Sequence, residues 1–165
     1  MAYLLDADVF IRAKNLHYGL DFCPAFWEWL IKENAAGNLY SIEKVGDEIF
    51  ALEDDLSKWA KTLSPSFFLK PDTTIFPALT IVSAWASNGQ RYEPSAVSTF
   101  LQVADYYLVA QAKAGQHTVV THEIPSASTR KIKIPDACIG LGLKCITPFE
   151  MLRHERARFI LGPRP

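Results

Sequence analysis

Two short apolar runs in the chain end in a carboxylate: Tyr3-Leu4-Leu5-Asp6 at the start, and Thr118-Val119-Val120-Thr121-His122-Glu123 more than a hundred residues later. Runs of this length and composition read as buried strands, and in an open α/β sheet the ligand crevice lies beyond the carboxyl ends of the strands. Asp6 and Glu123 then face one crevice. Carboxylates gathered there repel one another and resist losing water, a cost offset by a hard divalent cation or a shared proton. The chemistry this favours is metal-assisted phosphoryl transfer, in which oxygen donors hold a cation against an anionic substrate.

Four further acids are candidates for the same site. Asp8 stands two residues after Asp6, placed either to share the site or to face the first helical turn. Glu48 lies on an early helix beside Asp47. Asp105 is set between Val103-Ala104 and Tyr106-Tyr107-Leu108-Val109, an apolar setting for an acid unless it caps the helix. Asp136 follows Ile134-Pro135, where it reads as the N-cap of a short helix. Asp6 itself is suited to N-cap the helix after the first strand. Thr121 offers a hydroxyl to a carboxylate or a water. His122 alternates with Glu123 along an extended segment and so points away from it.

The elements that must position these residues alternate between helix and strand. A short helix is expected from Ala7 to Lys14, a loop from Gly19 to Pro24, and a helix opened by Pro24 and closed by Gly37-Asn38, with Phe26, Trp29 and Leu30 on its buried face. Ser41 reads as the cap of a helix carrying Ile42, Val45, Ile49 and Leu52 inward, and a further helix spans Leu56 to Leu63. From Ser64 to Ser95 the prolines at 65, 71, 77 and 94 interrupt the pattern, with helical pieces around Ala78 to Trp85 and Ser95 to Leu101. A strongly periodic helix runs from Asp105 to Lys113 and ends at Gly115. Then come a strand at 117–122, an extended Lys131 to Ile134, a helix after Pro135, a strand at 144–146, and a final helix from Pro148. Such alternation argues a parallel α/β sheet.

With 165 residues, 49% hydrophobic and 21% charged, the chain has the size and composition of one globular domain with a substantial core. No apolar run reaches the roughly 18 residues of a membrane span, and the acids at 6 and 8 break a signal-peptide pattern. A cytoplasmic protein is expected. Cys23, Cys138 and Cys145 form no C-x-x-C pair and are odd in number, which suits reduced thiols. The net charge of −1 hides an asymmetry: residues 130–165 hold Arg130, Lys131, Lys133, Lys144, Arg153, Arg156, Arg158 and Arg164 against Asp136, Glu150 and Glu155. This segment is either a solvated helical tail or a surface for a polyanion, with Arg130, Lys131, Lys133 and Arg153 as candidate phosphate contacts.

The order L-L-D-A-D-V-F-I, E-K-V-G-D-E-I, A-D-Y-Y-L-V-A-Q-A-K and V-V-T-H-E resembles the PIN-domain ribonucleases over about residues 3–150, and is similar to a prokaryotic PIN-like branch with the same Phe-Trp-rich second helix, T-H-E step and Pro-Phe-Glu ending. The resemblance implies a PIN-like three-layer α/β/α domain at 1–150 with a central, mostly parallel sheet, and a basic helix or tail of the same domain at 151–165. It further implies Mg²⁺ or Mn²⁺ held by Asp6, Glu48, Asp105 and Glu123, with Asp136 as a fifth acid and Thr121 orienting the site. The family's fourth acid is usually Asp, and Glu123 is one methylene longer. The proline-containing insert between Glu48 and Asp105 is long for the family and is expected to form a lid, a partner surface or extra core. By the same resemblance the chain is expected to cleave RNA as the toxin of a prokaryotic toxin–antitoxin pair, with an antitoxin protein as partner and aromatic residues to spare for a homodimer.

Two other readings use the same residues. Asp6-Ala7-Asp8-Val9 resembles the nucleophile motif of haloacid-dehalogenase-type phosphatases, which also needs a later lysine and a close acidic pair; after residue 124 no two acids are adjacent. In the other, the acids are caps and the basic segment binds RNA or protein without catalysis.

Overall fold

The computed structural model describes residues 1–162, so Arg164 lies outside the described residues. Its centre is a five-stranded, all-parallel sheet in the order β3-β2-β1-β4-β5, formed by β1 (Tyr3–Leu5), β2 (Leu39–Ile42), β3 (Phe68–Leu69), β4 (Thr118–Val120) and β5 (Cys145–Ile146). Between the strands run α1 (Ala7–Arg12), α2 (Pro24–Ala35), α3 (Glu43–Ala51), α4 (Asp55–Lys61), α5 (Ile75–Ser87), α6 (Pro94–Phe100), α7 (Ala104–Gly115) and α8 (Ile134–Leu141), with α9 (Pro148–His154) after the last strand. The result is a three-layer α/β/α domain. Strands buried on both faces need apolar side chains on both, and Leu4, Leu5, Leu39, Ile42, Val119 and Val120 are all in the core. One helical group consists of α5, α7 and α8, with α7 laid on β2 and β4; α1, α3 and α4 form another, while α2 packs on β2.

The chain steps outward from β1 to β2 to β3, then crosses back to β4 on the other side of β1 and continues to β5. The direction of winding therefore reverses between β1 and β4. At such a switch point the loops leaving two adjacent strands diverge to opposite faces and leave a crevice at their carboxyl ends. The register fixes what stands there: Leu5 pairs with Val120, so Asp6 and Thr121 are the next residues out, with the Asp6 amide donating to Val120 O at 2.9 Å.

Several sequence expectations are corrected. Ser41 is not a helix cap: it lies in β2, fully buried, and its hydroxyl donates to Leu5 O at 2.6 Å, while the helix after it starts from Ile42 with no side-chain cap. Two strands, β2 and β3, fall where helix or irregular chain was expected. Lys131 to Lys133 join no strand, and α8 begins at Ile134 with Lys133 at its N-cap; Asp136 is thus in the first turn and not the cap. Asp105 likewise sits in the first turn of α7 behind Val103. The helix at 7–14 is α1 followed by a π-helical turn at Ala13–His17. On α2 the buried residues are Phe26, Trp27 and Leu30, with Trp29 only half-buried.

The proline-containing insert is extra core. Its Phe67 and Phe68 are buried beside Trp59 and Phe50, and Ile75, Ala78, Val82 and Ala86 pack α5 against α7. On α8, Gly140 lies against Trp85 of α5; a β-carbon there would overlap the indole Nε1. The boundary expected at residue 150 falls inside α9, and Met151 and Leu152 are buried while Phe159 packs edge-on to Phe26. Among the described residues, no helix is long and apolar enough to cross a membrane.

Candidate active site at the carboxyl ends of β1 and β4

Asp6 ends β1 and N-caps α1 as its sequence position suggests. One carboxylate oxygen, Oδ1, accepts from the Ala7 amide at 2.7 Å; the other, Oδ2, accepts from Thr121 Oγ1 at 2.8 Å. Thr121 is buried and serves three neighbours at once. Its hydroxyl reaches Asp8 Oδ2 at 3.2 Å and accepts from the Glu123 amide at 3.1 Å. Having one proton for two carboxylates, the hydroxyl favours the shorter contact to Asp6. Both Asp8 oxygens also accept from the His122 amide, at 3.2 and 3.1 Å. The loop leaving β4 therefore grips both acids of the Asp6-Ala7-Asp8 step.

Glu123 is held from the opposite side, where its Oε2 accepts from the Ile134 amide at the start of α8 at 2.8 Å. Asp105, half-buried on α7, and Glu48, on the rim of α3, complete the group. The charges are close enough to act on one another. Burial first, then Asp8 and Asp105, pushes Asp6 well above the usual carboxylate range, against the Thr121 hydrogen bond that lowers it. Burial, then Glu123 and Glu48, pushes Asp105 up to about 6, with Lys131 acting against it. Burial alone raises Glu48. These three acids, Asp8 and Glu123 thus share one field with few cations to offset it.

Not every expected residue belongs to this group. Asp136 accepts from the Ser126 amide at 3.0 Å, so it serves the loop between β4 and α8. Of the basic residues, Lys131 is exposed and acts against the rise of Asp105; Arg130 lies 3.8 Å from Glu93; Lys133 holds the N-cap position of α8 without a side-chain capping bond; and Arg153 is on α9. The His122 ring stacks on His17. Asp8 is the residue whose place the sequence left open. The two-residue spacing across a strand–helix junction was the available signal, and the amide of His122 is what draws its side chain inward.

Among the described residues, no three His, Cys, Asp or Glu side chains stand in a ligating array. A closed cage is not what a hard cation requires: Mg²⁺ is bound through one or two carboxylates and retains several waters. The donors here are all oxygen, they are acids near enough to raise one another, and they gather at the carboxyl ends of two adjacent inner strands, which fits such an ion. A groove of about 300 Å³ lined by Glu123, Ile124, Pro135 and Glu150 opens beside them. A roomier cavity of about 870 Å³ lies by the turn between α5 and α6, but Glu93 is the only carboxylate in its lining and it lacks the convergent acids.

A doubly wound, all-parallel α/β domain with acids gathered at its switch point defines the class of protein. The chain belongs to the family described as a domain of unknown function, DUF4411, whose model matches residues 3–159. Neither the curated proteins nor the solved structures gave a match.

Proposed function

We propose that the chain is a divalent-cation-dependent ribonuclease that hydrolyses phosphodiester bonds at the mouth between β1 and β4. The observation that carries this reading is the gathering of Asp6, Asp8, Asp105, Glu48 and Glu123 at the carboxyl ends of β1 and β4, where burial first and the neighbouring acids second raise Asp6 and Asp105 above the ordinary carboxylate range. A protein that keeps like charges so close at a cost to its own stability has a use for them, and strongly perturbed carboxyls in a crevice mark functional sites. Asp6, Glu48, Asp105 and Glu123 would hold Mg²⁺ or Mn²⁺. Bound there, the ion lowers the pKa of an attacking water and stabilises charge on the departing oxygen.

The chain's own groups supply the rest. Thr121 orients Asp6 and Asp8 through one hydroxyl, and the Ile134 amide fixes the carboxylate of Glu123. Asp105, pushed up to about 6 by burial and by Glu123 and Glu48, would give up its proton when a cation is bound. Lys131 offers a cation to a phosphate beside Asp105. The likeness to PIN-domain ribonucleases supports the same chemistry, and with it we propose a cytoplasmic toxin restrained by an antitoxin protein, with room for a homodimer.

The test is cleavage of total cellular RNA by the purified protein with Mn²⁺, with EDTA, and with the Asp6→Asn variant in parallel. Discrete fragments that need the metal and fall by a factor of at least ~10² in the variant are expected, the scale on which loss of one electrostatic group at a reacting centre is felt. Intact RNA under every metal condition would reject the proposal.

A further inference from the structure

We infer that the rings of His17, His122 and Phe149 form a stacking shelf for the base flanking the cleaved linkage of a single-stranded RNA, an inference that rests on the ribonuclease reading. The His17 and His122 rings stack with centroids 5.4 Å apart and planes at 29°. Phe149 stands edge-on to both, 5.1 Å from His17 and 5.5 Å from His122. The three come from separate places: the end of the π-helical turn after α1, the residue after Thr121, and the first turn of α9. They meet beside Asp8, which accepts the His122 amide with both carboxylate oxygens.

Aromatic clusters usually belong to the core, and this chain has one around Phe10, Trp27, Trp59 and Phe67. The histidine cluster is different. His17 is exposed, and His122 and Phe149 are half-buried, so ring surface is left for a partner at the mouth of the acidic site. Single turns of π-helix are found frequently at functional sites.

The turn that carries His17 is held on both sides. Lys14 pairs with Asp54 at 2.9 Å, and the indole of Trp27 donates to Tyr18 O at 2.6 Å. A shelf fixed before binding loses little freedom when a base settles on it. Two cations are carried on the elements that form the shelf: Arg12, which ends α1 directly before the π segment, and Arg153, on the helix of Phe149. Stacking rings beside a cationic track are what recognise an unpaired nucleotide, whereas the bases of a duplex stack on one another and present no free face.

The experiment titrates the full chain into a short single-stranded oligoribonucleotide carrying 2-aminopurine, in EDTA so that nothing is cut, and reads fluorescence and affinity. Stacking should quench the probe. His17→Ala is expected to weaken binding about tenfold and to relieve the quenching, the scale of one lost base–ring stack. His17→Tyr should restore both, because a ring face is required and the imidazole is not. Unchanged binding and quenching in His17→Ala overturns the shelf, and so does equal loss in both variants. His17 is exposed, so neither substitution threatens the core. Cleavage with Mn²⁺, assayed separately, distinguishes the two claims. Quenching that depends on His17 without any cleavage removes the ribonuclease and leaves an RNA-binding surface; cleavage with unaltered binding by His17→Ala removes the shelf alone.

Discussion

Asp105→Asn will make the metal-free protein more stable at pH 8, by about 1–3 kcal/mol, while removing metal-dependent cleavage. The Asp105 carboxyl rises from an ordinary 3.8 to about 6 in the folded protein, through burial and the charges of Glu123 and Glu48. Between about pH 4 and pH 6 the folded state therefore binds a proton that the unfolded chain has released. Stability falls as pH rises through that window, and the deficit is complete above the folded value. An amide of the same shape carries no charge and escapes it. Urea unfolding of both proteins in EDTA at pH 5 and pH 8 checks the sign: the advantage of the variant should be largest at pH 8 and shrink toward pH 5. An advantage equal at both values would mean that the charge of Asp105 is not what strains the site.

Thr121→Val should cost about 10- to 100-fold in cleavage rate and about 1–3 kcal/mol in stability. Valine keeps the shape but leaves Asp6 Oδ2 without its hydroxyl donor and the Glu123 amide without its acceptor, inside a buried site. Asp8 would then be steered by the His122 amide alone. Thr121→Ser preserves the hydroxyl and should retain most of the rate, so the pair of variants separates the hydrogen bonds from packing. A loss in Ser as large as that in Val would contradict this, because the hydroxyl would then not be enough to hold the site.

The ends of β1 and β4 were legible in the sequence because each is a short apolar run closed by a polar residue with chemistry, and two such ends suffice to locate a crevice. β2 was not, because Leu39-Tyr40-Ser41-Ile42 is only four residues long and flows into the helical spacing of Ile42, Val45 and Ile49. A serine before a helix reads as a cap, and only the neighbouring strand shows that its hydroxyl goes to Leu5 O. β3 has two residues among prolines and carries no periodicity to detect. Asp6, Asp105 and Glu123 were found as acids in apolar settings. Asp136 looked equivalent, yet the loop from β4 turns it toward Ser126, a matter of loop path that spacing does not encode. The place of Asp8 was open in the sequence for the same reason, since the amide that draws it in lies 114 residues away. The shelf of His17, His122 and Phe149 depends on a π-helical turn and three distant segments, which no local pattern announces.

A ribonuclease of this kind requires the acids at the switch point to bind a divalent cation. Calorimetric titration of Mn²⁺ into the metal-free protein at neutral pH, repeated with Asp6→Asn, decides it. Saturable binding by the parent, accompanied by proton release as the raised carboxyls ionise and abolished in the variant, is the predicted result. No heat of binding in the parent, or binding that survives unchanged in Asp6→Asn, would contradict it.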